Sequence, residues 1–338
     1  MESKNIRVAI YGLGGVGKEL VRDLAHRQGI ELVGAICRNP QQIGQDIGLL
    51  AGLDQPIGVQ AFADQTKETD LYEAKPIDVL LHCAGANNAR GTFAQVKSAL
   101  EHGINVITAN VGTTDLWHAD PELAAEANAI CLAHQASYFG IGSSQVLERA
   151  VVAMTEGSKH IESASFTHYA DVHAYSEQSN RNALGIGLHA DEFERRRIEA
   201  QTNSAALNSN EESARFIGAY LGWEIDRVTT DMEPFLDAQQ RVYGTKETII
   251  GYERETERVR ETWVFIMDEK QAYYDKIVLH GEPEVEAVMH YSPDRGLCTT
   301  YATLRNAIPV VLRAAPGYHN TLSLPACSWY GGDFRTKP

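Results

Sequence analysis

The 338-residue chain contains five cysteines, and no two of them form a Cys-x-x-Cys pair. Cys37, Cys83, Cys131, Cys298 and Cys327 are scattered and odd in number. Neither a zinc ribbon nor a disulfide framework is therefore indicated, and a reducing cytoplasm is the expected setting. No two histidines stand in His-x-x-x-His spacing, so no metal is expected. No apolar run approaches membrane-spanning length, and the opening MESKNIRV passes into a strand pattern within a few residues, so no signal peptide is expected. Basic residues are in deficit, 30 Lys and Arg against 45 Asp and Glu, a formal charge of −15. Such a surface disfavours nucleic acid and anionic membranes as partners, though it leaves room for a local basic pocket. Internal repeats and low-complexity segments are also lacking. What remains is an ordinary globular composition, 43% hydrophobic, in a chain long enough for two domains.

The most informative stretch is 6–17, IRVAIYGLGGVG. An apolar run is followed at once by Gly12-Leu13-Gly14-Gly15-Val16-Gly17, and then Val16, Leu20, Val21 and Leu24 recur at helical spacing. A glycine turn between strand and helix is the context in which Gly-x-Gly-x-x-Gly means dinucleotide binding. Gly12 permits the tight turn, Gly14 lets a pyrophosphate approach the backbone, and Gly17 lets helix and strand pack closely. The helix N-terminus offers N–H groups to the phosphates. An ordinary strand–helix turn is the competing reading.

Further strands are expected at 30–36, near 59–62, and at 76–84 and 104–108, alternating with helices at 92–102 and 121–134. This order predicts an α/β fold with a doubly wound parallel sheet, whose ligands bind beyond the carboxyl ends of the strands. Cys37, Arg38 and Asn39 fall where the ribose-reading residue is expected, since Cys37 is twenty residues after Gly17. No carboxylate is present there to accept from a 2′-hydroxyl, and an arginine is. NADP(H) is thus the expected coenzyme, with NAD(H) the alternative and a surface arginine the competing reading. Ala84 and Gly85, at the end of the 76–84 strand, and Asn110, after the 104–108 strand, are expected to border the cofactor.

After about residue 145 the pattern changes. A linking helix at 143–151 leads to long strands at 161–169, 252–267 and 276–290, with helices at 190–201 and 211–221 between them. These predict a second α+β domain on a largely antiparallel sheet. The expected organisation is a cofactor domain at 1–145, a substrate and dimerisation domain at 146–300, and a segment at 301–338 returning to the first. Asn306 opens NAIP before an apolar stretch, and either contacts the cofactor carboxamide or caps a helix.

The chain resembles the dihydrodipicolinate reductase-like oxidoreductases, and within them the 2,4-diaminopentanoate dehydrogenase and native amine dehydrogenase branch. The likeness is carried by YGLGGVG (11–17), NALGIGLHADEF (182–193), ESARFIGAYLGWEIDRVTTDMEP (212–234), IVLHGEPEVE (277–286) and NAIPVVLRAAPGYHNTLSLP (306–325). It implies a Rossmann domain, a sheet-based substrate domain, a nicotinamide cofactor, a small-molecule substrate and a homodimer. Two departures stand out. Amine-forming members carry a glutamate after the strand matching 104–108, where this chain reads TANVGTT with no carboxylate before Asp115. The Gly-x-Asn-Pro-Gly turn expected near 140–145 reads GIGSSQ. The His-His pair and nearby lysine of the reductase proper do not occur.

Hydride transfer requires from the protein mainly orientation and one proton donor or acceptor near the reacting carbon. The stretch 166–177, FTHYADVHAYSE, is the richest in such groups. Tyr169, His173 and Tyr175 are the candidate catalytic residues, able to hydrogen-bond a carbonyl or imine, and Asp171 or Glu177 could hold a cation. Pleat-filling His and Tyr are the competing reading. The expected function is an NAD(P)-dependent oxidoreductase acting on a small carbonyl, imine, amine or alcohol. A non-catalytic nucleotide-binding sensor is the alternative from another class.

Overall fold

The computed structural model describes residues 4–63, 68–86, 88–110, 112–141, 144–173, 181, 184–202, 211–267, 272–291 and 298–336. It divides into two compact units, residues 1–143 with 298–338, and residues 144–297.

The first unit opens with strands β1 (Ile6–Tyr11), β2 (Ile30–Cys37), β3 (Ala61–Ala63), β4 (Val79–His82), β5 (Asn105–Thr108) and β6 (Ser137–Gly140). Between them run helices α1 (Gly15–Leu24), α2 (Ile47–Leu50), α3 (Glu68–Ala74), α4 (Ala89–Glu101), α5 (Leu116–Ala119) and α6 (Pro121–His134). All pairings are parallel, in the order β6-β5-β4-β1-β2-β3. Both faces of a parallel sheet are covered, which is why β4 is buried at every position and reads as an unbroken apolar run up to His82. Helix α1 buries Gly17, Leu20, Val21 and Leu24, a stripe spaced three and four residues apart. Helix α6 starts on Asp120, whose carboxylate accepts from the Leu123 N–H at 3.2 Å, with Pro121 in the first turn where its missing N–H costs nothing. At the amino end of the sheet, Arg7 grips Asp78, with Nη2 to Oδ1 at 2.6 Å and Nε to Oδ2 at 3.0 Å.

The second unit begins with α7 (Ser144–Met154) and β7 (His160–Asp171), followed by α8 (Ala190–Thr202) and α9 (Glu211–Tyr220). Strands β8 (Arg227–Leu236), β9 (Val242–Glu253), β10 (Thr256–Ile266), β11 (Tyr273–Glu282) and β12 (Val285–His290) complete it. The sheet order is β12-β11-β7-β10-β9-β8, antiparallel except for the central β7–β10 pair. Burial alternates along β7, so one face is covered and the other half-open. The covered face packs Phe166, Ile249, Trp263 and Ile277 against Leu147 and Val151 of α7 and Phe216 and Ile217 of α9. A smaller cluster, with Val172, Leu188, Phe193 and Val242, forms a separate core within the same unit.

Two sequence expectations are corrected here. The expected strand at 252–267 is two strands of a hairpin, β9 and β10, reversing at Arg254, whose φ is +57°. The charged run ERETERVRET contains that reversal, and no Gly, Asn or Pro marks it. The expected strand at 276–290 is likewise the antiparallel pair β11 and β12, broken at Pro283.

The chain then returns to the first unit with α10 (Cys298–Val311) and β13 (Gly317–His319). Strand β13 pairs parallel with β6 and completes a seven-stranded sheet. Leu304, Ala307 and Ile308 of α10 pack with Leu13, Ile107 and Ile141. Asn306 lies well inside α10, so the reading of it as a helix cap is corrected: the helix begins eight residues earlier.

Candidate functional site: the carboxyl ends of the parallel sheet

Gly12 has φ of +105°, and a Cβ there would meet the Ala84 N–H nitrogen at 2.8 Å. Only glycine satisfies both constraints. A Cβ on Gly14, by contrast, would have nothing within 4 Å. Gly14 is the N-cap of α1 and offers no side-chain cap. The first α-helical bond runs from the Lys18 N–H to the Gly14 carbonyl at 3.0 Å. The N–H groups of Gly15, Val16 and Gly17 precede it and have no helical acceptor. Gly14 and Gly15 are exposed, while Leu13 is buried in the core beneath. The turn thus presents donors and open space on one side and is anchored on the other. Those are the properties a pyrophosphate requires.

Cys83 supports this turn from below. Its thiol donates to the Gly12 carbonyl at 3.1 Å, and burial pushes its pKa up to about 12. It stays protonated and acts as a strut.

At the end of β2, Cys37 is buried and its thiol points to the Asn39 carbonyl at 3.9 Å. The Asn39 side chain accepts from the Gln41 N–H at 3.0 Å, which shapes the turn and leaves Arg38 exposed at its tip. No carboxylate stands at 37–39.

Past β4 and β5 a continuous hydrogen-bond chain fixes the loops. Gln95 donates through Nε2 to the Gly85 carbonyl at 3.3 Å, so its Oε1 accepts from His82 Nε2 at 2.8 Å. His82 Nδ1 then accepts from Thr108 Oγ1 at 2.9 Å, and Thr108 Oγ1 accepts from the Asn110 N–H at 3.3 Å. The tautomer is assigned from this network. His82 and Thr108 are fully buried, so every polar group in the chain needs its partner. The Asn110 amide donates to the Ala84 carbonyl and to Thr92 Oγ1, both at 2.9 Å. Asn110 therefore clasps the Ala84–Gly85 loop to α4. This brace was invisible in sequence, where the His82-Gln95-Thr108 signal is three unrelated polar residues.

The loop after Asn110 leads to Asp115, which is buried. Its carboxylate takes His118 Nδ1 at 2.5 Å and the Asn320 amide at 3.2 Å. Asn306 of α10 is buried, and its Oδ1 accepts from Arg305 Nε at 3.1 Å. Arg305 in turn holds Asp23 of α1 at 3.0 Å.

In the second unit, Tyr169 lies on the half-open face of β7, stacked on Tyr274 at 5.3 Å between centroids. His173, just past β7, is exposed and bonds through Nδ1 to Asp171. Tyr175 and Glu177 lie outside the described residues. His168, on the opposite face from Tyr169, is buried and bonds to Asp275.

Residues 145–337 match the family described as the 2,4-diaminopentanoate dehydrogenase C-terminal domain, and residues 6–136 match dihydrodipicolinate reductase, N-terminus. The chain belongs to the 2,4-diaminopentanoate dehydrogenase family. One relative, 2,4-diaminopentanoate dehydrogenase of Acetoanaerobium sticklandii, is 24% identical over 349 residues, covering 98% of this chain and 97% of that protein. A 4-hydroxy-tetrahydrodipicolinate reductase of Trichormus variabilis is 30% identical over 172 residues, 48% of this chain and 58% of its own length. The fold matches that of an amine dehydrogenase from Mycobacterium smegmatis, with a TM-score of 0.81, 20% identity, and coverage of 97% of this chain and 98% of that one. Members of the 2,4-diaminopentanoate dehydrogenase family are oxidoreductases, and this one is an NAD(P)-dependent dehydrogenase of amine dehydrogenase-like build. The glycine turn fits such a coenzyme: its donors are open, and Gly14 leaves room for phosphate.

Proposed function

We propose that the chain transfers hydride between NADP(H) and a small carbonyl, imine or amine. The observation that carries this reading is the uncapped α1 N-terminus at Gly14, followed one strand away by the turn 37–39, which carries Arg38 and no Asp or Glu. The bound nicotinamide supplies the hydride chemistry. The chain's own residues bind and orient. Gly12, Leu13, Gly14, Gly15, Val16 and Gly17 hold the pyrophosphate through backbone N–H groups. Arg38, on the Cys37–Asn39 turn, meets the 2′-phosphate. Ala84 and Gly85, braced by Asn110, border the rest of the coenzyme. Asn306 takes a supporting place on α10, tied to α1 through Arg305 and Asp23. The names of the relatives favour an amine or its imine as substrate.

A second reading omits ammonia, and one observation favours it. The stretch 108–114, TANVGTT, has no carboxylate to handle protons on ammonia. In that case the substrate is an alcohol, a ketone or a preformed imine.

The half-open face of the second sheet, with Tyr169 on Tyr274 and an exposed Val288, supports a homodimer. Among the described residues no helix is long and apolar enough to cross a membrane.

The test is a titration of NADPH and NADH by fluorescence, followed by a panel of ketones with and without ammonia, amines and alcohols. NADPH binding with turnover of any panel member supports the enzyme reading. Binding without turnover favours a sensor, and absence of binding removes the proposal. Ammonia-dependent NADPH oxidation with a ketone selects the amine dehydrogenase reading over the second one.

A further inference from the structure

We propose that the Lys18 ammonium, together with Arg38, holds the 2′-phosphate of the coenzyme. This rests on the NADP(H) reading above and adds a second specificity residue to the same site.

Lys18 closes the first turn of α1, and its backbone N–H makes the first helical bond, to the Gly14 carbonyl at 3.0 Å. That turn is the positive end of the helix dipole, where an anion is favoured and a cation disfavoured. It holds no acidic residue and no side-chain cap. Lys18 is half-buried, and its ammonium makes no ion pair or hydrogen bond with any described residue. In a chain of formal charge −15 such a side chain stands out. Arg7, Arg22, Arg27, Lys97, Arg305 and Arg335 of the same unit each hold a carboxylate. Lys4 and Lys75 make no ion pair with a described residue either, but they stand at the amino ends of β1 and β4, the edge away from the glycine turn. Helix dipole, missing acid and unpaired ammonium therefore add in sign at the edge where coenzyme phosphates bind.

Helix geometry decides which phosphate. Lys18 and Arg22 are four residues apart and share one side of α1. Arg22 donates through Nη1 to the Ala51 carbonyl, just past α2. Ala51 belongs to the segment that leaves β2 through the Cys37–Asn39 turn. This side of α1 therefore faces the β2 side of the sheet. Lys18, one turn closer to the glycine turn than Arg22, stands on the Arg38 side of it. The end of β2 is where the adenosine ribose is read.

Two acids on that side are already engaged. Glu19 is paired with Arg22. Asp46 takes the N–H groups of Gly48, Leu49 and Ile57 on Oδ1 and those of Gly58 and Val59 on Oδ2, at 2.7–3.2 Å. Neither draws Lys18 away from a phosphate. The two cations also suit different tasks. The planar Arg38 guanidinium can take two phosphate oxygens at once, and the lysine supplies a compact charge on a flexible stem.

The test titrates NADPH, NADH, adenosine 2′,5′-bisphosphate and ADP into the full chain by calorimetry at low salt. Lys18→Met should weaken NADPH and the bisphosphate by about tenfold, and leave NADH and ADP nearly unchanged. Lys18→Arg, which keeps the charge, should retain most of the NADPH affinity. Added salt should weaken NADPH binding more steeply in wild type than in Lys18→Met. The thermal midpoint of Lys18→Met should equal or exceed that of wild type, because a cation has left the positive end of α1. Equal losses for NADPH and NADH would place Lys18 on the pyrophosphate and overturn the assignment. So would a Lys18→Met protein with wild-type NADPH affinity, or a wild type that binds ADP as tightly as the bisphosphate. A wild type that binds neither coenzyme would instead remove the NADP(H) reading on which the assignment stands.

Discussion

A Cβ built on Gly17 would lie 1.8 Å from the carbonyl oxygen of Gly12. Helix α1 and the end of β1 are therefore in contact with no room for a methyl group, while Gly14, three residues earlier, faces open space. The two glycines should respond differently to substitution. Gly17→Ala must push backbone from backbone and should cost roughly 1–3 kcal/mol, the range for overpacking. Gly14→Val should keep the thermal midpoint close to wild type and abolish NADPH binding, because its branched side chain fills the phosphate position. Thermal melts and fluorescence titrations on both variants check this. A Gly14→Val protein with wild-type NADPH affinity would place the coenzyme elsewhere.

That turn was legible in sequence because strand, turn and helix are neighbours along the chain. The same holds for Pro121–His134, whose run of the helix formers Ala, Glu and Leu is a local signal. The second sheet was harder to read. Its register is set by pairings across long separations, so His168 and Asp275, 107 residues apart, gave no sign of meeting. Sequence also could not say which of His168 and Tyr169 faces the covered side, since adjacent strand residues point to opposite faces. The hairpin at Arg254 was hidden because its turn uses a non-glycine residue at positive φ. The Asn110 clasp was hidden for a different reason: an asparagine after a strand looks the same whether it meets a ligand or a neighbouring carbonyl.

Arg38 tests coenzyme choice. A guanidinium beside a 2′-phosphate makes charge-assisted hydrogen bonds worth about 1.5–3 kcal/mol, which is roughly ten- to a hundred-fold in affinity. Arg38 is exposed, so salt should screen part of this. Arg38→Ala should weaken NADPH by about tenfold or more at low salt, and leave NADH nearly unchanged. Equal losses for both coenzymes, or a wild-type preference for NADH, would remove Arg38 from the ribose site.

Asp78 should govern the acid limb of stability. Burial pushes its carboxyl upward, but the Arg7 guanidinium and the Arg7 backbone N–H outweigh this and hold it below the usual aspartate value. A lowered folded pKa means that stability is present above the unfolded pKa, near 4, and is lost as pH falls through the folded value. The pair is about a third exposed, so solvent screening keeps its contribution near ~1 kcal/mol. Asp78→Asn should be less stable than wild type by about that amount at pH 7, and the difference should vanish in strong acid. Urea midpoints measured across pH check it; a gap independent of pH would mean that the charge is not what stabilises.

Glu261 should act with the opposite sign. It is fully buried on β10, its Oε2 accepts from Trp263 Nε1 at 3.0 Å, and its Oε1 has no hydrogen-bond partner among the described residues. Burial raises its pKa well above the ordinary carboxylate value, and the nearby Glu148 and Glu247 raise it further. The folded state therefore binds a proton that the unfolded chain releases. This stability is fully present below the unfolded pKa and is lost as pH rises through the folded one. Glu261→Gln removes the titration while keeping an oxygen for Trp263. Its amide can also donate toward the carboxylates beside it. The variant should match wild type near pH 4 and exceed it increasingly at higher pH, reaching a gain on the order of 1–3 kcal/mol. Denaturant melts of both proteins at a series of pH values provide the comparison. A constant difference between them across that range would show that Glu261 does not hold the proton, and that its buried oxygen is stabilised as a carboxylate.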